Sequence, residues 1–147
     1  MVAVHDGQMT IHWDLSPAER YAYSAAEWAH THWRDFVRLK AYLHRQVDAG
    51  DPRTTRSDVL AWAKQEGVGM SDVATVVRNH NLWAGLARYM VMMSPRLCRT
   101  VHFKRSEMDD LDLVAIWHEV AKPDTHFFAR DVEEARRLVE IGDASAQ

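Results

Sequence analysis

One cysteine, four prolines and six glycines among 147 residues leave a chain with few internal breaks and no means of stapling itself covalently. The lone Cys98 cannot close an internal disulfide and does not by itself hold a zinc cluster, which fits a reducing compartment. Long apolar runs are missing as well. The longest, residues 82–93, contains Arg88 and is too short to cross a bilayer. Residues 1–13 carry His5 and Asp6 and lack a basic region followed by an apolar one, so no secretory signal is expected and a cytoplasmic protein is. Gly-rich phosphate loops, Ser-centred elbows and paired-acid motifs are also lacking, which argues against an enzyme and against a bound cofactor.

Acidic residues are absent from one segment of the chain. The net charge of −3 divides into −2 over residues 1–72, +6 over residues 73–106 and −7 over residues 107–147. The six cations of the middle segment are Arg78, Arg88, Arg96, Arg99, Lys104 and Arg105. Such a block is a candidate contact for a polyanion; the alternative is that it pairs with the acidic C-terminal third on folding. A hydrophobic share of 47% and a charged share of 27% otherwise describe a globular protein, and the length suits a single domain over residues 1–147.

What is present is helical periodicity. Ser16-Pro17-Ala18-Glu19 combines a hydroxyl cap, a proline at the first helical position and a carboxylate three residues after the cap. Behind it Tyr21, Ala25, Trp28, His32, Phe36, Leu39, Leu43 and Val47 recur at steps of three and four, predicting one long helix over about residues 17–49. Thr54 and Thr55 cap a second helix reaching about Glu66, and Ser71 a third, with a break at Asn79-His80-Asn81. Residues 82–93 are apolar nearly all round, so they form either the centre of the core or a seam with a partner chain. Cys98, Thr100, Val101 and Phe103 favour extended structure, leaving room for one short β-hairpin or wing over residues 96–105. Ser106 starts a helix to about Ala121, and Asp131 a last one ending near Gly142. The expected fold is a mainly α bundle of about six helices, with its centre at residues 55–93 and an acidic helical segment at residues 106–142.

Within residues 59–78 a short helix carries Ala63 where a second helix would cross, Gly67 follows as a turn residue tolerant of positive φ, and Val68, Val73 and Val76 supply apolar anchors. The run from Gly67 to Arg78 resembles the helix-turn-helix superfamily of bacterial and phage repressors, in which a Gly-Val or Gly-Ile pair opens the turn and a Val anchors the next helix. The resemblance implies a DNA-binding regulator whose second helix enters the major groove. It points to Met70, Ser71, Asp72, Ala74, Thr75, Arg78 and Asn79 as DNA-facing positions. Arg78 and Asn79 carry the guanidinium and carboxamide groups that match purine edges. Arg53, Arg56, Lys64, Arg88, Arg96, Lys104 and Arg105 are candidates for phosphate positioning. The competing reading of the same residues is an ordinary helical hairpin whose alanine and glycine serve packing alone.

Nine histidines raise the question of a metal. Glu27 and His30 have the spacing of half a carboxylate-bridged di-iron site, but no second Glu-x-x-His completes it. The sequence therefore supports first a helix-turn-helix regulator binding double-stranded DNA, as a homodimer, without cofactor, metal or membrane. The alternative is a helical adaptor that binds another protein through residues 82–93. A metal-dependent helical enzyme using Glu27 and His30 comes third.

Overall fold

Helix α1 (Pro17–Thr31) starts where the capping box predicts: the Glu19 backbone N–H donates to Ser16 Oγ at 3.2 Å, and the Ser16 N–H to Glu19 Oε1 at 3.0 Å. The computed structural model describes residues 14–67, 70–120 and 125–146, with the side chains of residues 70–72 and 143–146 left out of that description. Next come α2 (Trp33–Asp48), α3 (Arg56–Glu66), α4 (Met70–Arg78) and α5 (His80–Met93). Two 3-10 turns, Pro95–Arg99 and Glu107–Asp110, lead to α6 (Leu113–Val120) and α7 (Val132–Ala146). Among the described residues there is no strand, so the mainly α bundle expected from the sequence is the observed fold.

The hairpin expected over residues 96–105 does not form. Pro95 opens a 3-10 turn in which the Leu97 carbonyl accepts from both Thr100 and Val101 N–H groups. The β-branched pair is used for plugging rather than pairing. Thr100 is fully buried with its hydroxyl 2.7 Å from that of Thr54, and its carbonyl accepts from the Thr54 N–H.

The long first helix is two helices. At His32 the backbone leaves helical geometry (φ −112°, ψ 46°), and the imidazole Nδ1 lies 3.1 Å from the Trp28 carbonyl while the ring stacks on the Trp28 indole. The Trp28 carbonyl keeps its ladder bond from the His32 N–H at 2.8 Å, so the break lies in the His32 backbone angles and not in a lost bond. The break redirects the buried face. Alanines 22, 25, 26 and 29 line α1, whereas Phe36, Leu39 and Leu43 line α2, and Val37 is exposed. The expected helix after Ser106 is also divided: Leu111 is extended, and Asp112 Oδ1 accepts from the Ala115 N–H to start α6. The last helix runs past Gly142, and the expected stop at Lys122-Pro123 lies outside the described residues.

Helix α5 is the centre of the bundle, packed by α1, α4, α7 and the first 3-10 turn. Residues 85–93 are all buried, so the methionine-rich helix that the sequence offered as a protein-docking or dimer seam is covered by its own chain. Its apolar side chains each contribute roughly 1.5–3 kcal/mol by leaving water. Close approach to α1 needs a residue without Cβ. A Cβ built on Gly85 would stand 2.9 Å from Ala25 Cβ and 3.4 Å from the Tyr21 carbonyl oxygen. Gly85→Ala is therefore expected to destabilise by about 1–3 kcal/mol although alanine is the better helix former by roughly 1 kcal/mol. Denaturant unfolding checks it, and Ala25→Gly in the same chain should recover part of the loss.

Candidate nucleic-acid interface

The α3–α4 hairpin is built from local rules. Thr55 Oγ1 accepts from the Asp58 N–H at 3.2 Å, and Asp58 Oδ2 from the Thr55 N–H at 2.8 Å, fixing the start of α3. Gly67 ends it at φ +64°, with open space where a Cβ would stand, so the glycine is required by backbone conformation rather than by crowding. Ala63 on α3 and Val73, Val76 and Val77 on α4 are all fully buried, and the two helices pack against each other. Trp62 stacks on Tyr42 at 4.7 Å between ring centres, which anchors the hairpin to α2. Val68 lies outside the described residues.

Helix α4 buries one face and shows the other. Thr75 and Arg78 are exposed. Arg56, at the first position of α3, reaches across so that its Nη1 donates to the Val77 carbonyl at 3.4 Å, placing a second guanidinium at the C-terminal end of α4. Arg53, Arg56, Lys64 and Arg78 are all exposed, and among the described residues none of them pairs with a carboxylate. Helix α4 begins at Met70, so Ser71 sits within its first turn and is not the cap expected from the sequence; the side chains of Met70, Ser71 and Asp72 lie outside the described residues.

Several expected contacts are engaged elsewhere. Ala74 is 6% exposed and belongs to the packed face, so it cannot face a duplex. Asn79 caps α5: its Oδ1 accepts from the Asn81 and Leu82 N–H groups at 3.1 and 3.2 Å. Arg96 is held against α2 by Asp48 and donates to His44 Nδ1. Burial, then Arg96 and Lys40, push the His44 imidazole below its ordinary value, in keeping with a neutral acceptor there. Arg105 pairs with Asp110 at 2.6 Å; Lys104 is exposed without such a partner among the described residues.

Arg88 is fully buried in the core, not on the surface. Its Nε and Nη2 grip both oxygens of Asp109 at 2.8 and 3.0 Å. Nη1 donates to the Ala84 carbonyl, Nη2 also to the Lys104 carbonyl, and the guanidinium lies over the Phe103 ring. The cation block is thus divided, with Arg88 and Arg105 paired to the acidic segment that follows. What the sequence did not reveal is Arg56 as the bridge between α3 and α4. Its only signal was a cation at the first position of a capped helix.

The chemistry of other candidates is weaker. Burial pushes the half-buried Cys98 thiol up to about 11, and His102 donates from Nε2 to the Pro52 carbonyl, so no activated thiol results. Among the described residues no three His, Cys, Asp or Glu side chains gather as metal ligands, and His30 is exposed. No helix among them is long and apolar enough to cross a membrane. Compared with protein-family models, curated proteins and solved structures, the chain matches none.

Proposed function

We propose that the protein binds double-stranded DNA through the α3–α4 helix-turn-helix and acts as a transcriptional regulator. One observation carries the reading: α4 turns Thr75 and Arg78 to solvent beside Arg56, with no carboxylate on either guanidinium among the described residues. Arg78 is the candidate for a purine edge, and Thr75 for a base or phosphate; Arg53, Arg56 and Lys64 would position phosphates. Arg88, Arg96 and Arg105 leave the contact set because their charges are answered within the chain.

Fluorescence anisotropy with a mixed-sequence labelled duplex tests this. Binding is expected at low salt and should weaken steeply as salt rises, since each neutralised phosphate releases counterions. Arg78→Ala should weaken binding to a selected site by about 1–3 kcal/mol, roughly fivefold to 150-fold, with unfolding midpoints unchanged because the side chain is exposed. No binding at low salt, or an Arg78→Ala protein with unaltered affinity and site preference, refutes the assignment.

A further inference from the structure

Between α2, the end of α5 and the segment after α6 lies a cleft of about 400 Å³, within the size range of small-molecule sites, and nothing in the α3–α4 face uses it. Lys40 reaches into its lining from α2. The ammonium is half-buried and meets only soft partners: Met93 Sδ at 3.8 Å and the Phe36 ring at 5.8 Å. Among the described residues no carboxylate or carbonyl oxygen answers it. A desolvated ammonium without a counter-ion is costly, and burial accordingly pushes the Lys40 pKa down.

Two further observations point to a ligand there. The Thr125 hydroxyl beside the same cleft is shut off from water and lacks a hydrogen-bond partner among the described residues, so it meets a ligand on rotation about its Cα–Cβ bond. Buried hydroxyls are normally satisfied, so this one is a donor in waiting. The remaining lining is Ser94, His126 and three apolar or aromatic side chains. Trp33 and Met93 lie on one part, and Phe128, 64% exposed and set edge-on to His126, on another.

We propose that this cleft binds a small carboxylate with an aromatic or branched apolar body, the carboxylate on Lys40 and the Thr125 hydroxyl, the body against Trp33, Met93 and Phe128. The anion replaces the hydration that Lys40 loses, the hydroxyl gains its acceptor, and the exposed Phe128 ring gains cover. This site stands apart from the DNA reading, and either can fail alone.

Isothermal titration of the full chain with phenylacetate, phenylacetamide and acetate tests it. Phenylacetate is expected to bind saturably at one site. The neutral amide, which cannot neutralise Lys40, and acetate, which lacks the ring, should each bind at least tenfold more weakly. Lys40→Met should lose at least tenfold in phenylacetate affinity while its thermal midpoint stays level or rises, because an unpaired desolvated charge is removed. Lys40→Arg should retain binding, and Thr125→Val, from a different element, should lose severalfold. Absence of saturable phenylacetate binding, equal affinity for the amide, or undiminished binding by Lys40→Met overturns the proposal.

Discussion

Replacing Asp109 with alanine is expected to lower the stability of the folded chain by about 3–5 kcal/mol, because it leaves the guanidinium of Arg88 buried without its counter-charge. The effect exceeds that of an exposed ion pair such as Arg105–Asp110, which solvent screens. Burial and geometry make the difference: Arg88 is sealed in the core and grips the carboxylate with two parallel bonds. Asp109 also accepts from the Ser106 N–H, so about 1 kcal/mol of the loss belongs to the cap rather than to the pair. The thermal midpoint should fall by about 10 °C or more. Arg88→Met combined with Asp109→Leu should recover much of the deficit, since an apolar pair of similar volume carries no desolvation penalty. Recovery by the double variant and not by either single one is the signature of a charge pair.

The same pair sets an acid limit. Burial alone would raise the Asp109 carboxyl, but the bonds from Arg88 and the Ser106 N–H and the attraction of Arg88 and Arg105 outweigh it and hold it below the ordinary carboxylate value. A folded-state value below the unfolded one means the contribution is fully present above the unfolded value and is lost as pH falls through the folded one. The stability gap between the wild-type chain and Asp109→Ala should accordingly narrow below about pH 4, as followed by urea unfolding across acid pH.

Helix starts were legible because caps are local. Ser16, Thr55 and Asp131 act through residues three positions away, and each starts the helix its spacing implied, whereas Ser106 caps only a 3-10 turn and Asp112 starts α6. The centrality of α5 was legible in an apolar pattern that leaves no side for water, and the alternation of buried valines with Thr75 and Arg78 followed from the helical period. The break at His32 was not legible, because the apolar repeat continues at steps of three and four through a residue whose backbone leaves helical geometry. Nor did the sequence show which cations would be free. Arg78 and Arg88 look alike in a block without acids; only folding brings Asp109 to one of them and leaves the other exposed. An isolated arginine in an otherwise apolar helix does demand a counter-charge, but Asp72 stands closer to it along the chain than the acids at residues 107–112, so the partner was not legible. The Lys40 cleft had no signal, because α2, α5 and the segment beyond α6 meet there only in three dimensions.

Trp117→Ala is the second substitution with a large expected effect, about 3–5 kcal/mol. The indole is fully buried in α6 and stands amid Trp33, Phe36, Tyr89 and Phe127, with ring centres at 6.3, 5.8, 4.9 and 5.9 Å. These rings come from α2, α5 and the segment after α6, so one truncation opens a cavity that several elements border. Collapse to fill it is opposed by Tyr89, whose hydroxyl is tied to the Ala22 carbonyl at 2.9 Å. Trp117→Phe should cost much less, about 1–2 kcal/mol, for two reasons. A ring remains to fill most of the volume, and the indole N–H, which has no partner among the described residues, is removed from the interior. A midpoint shift in urea at constant m-value measures both, with alanine shifting it at least twice as far as phenylalanine. Equal shifts would mean that the ring's volume does not hold this cluster together. Because Trp33 also forms a wall of the Lys40 cleft, the alanine variant should bind phenylacetate more weakly, while Trp117→Phe keeps the wall supported and the binding close to wild type.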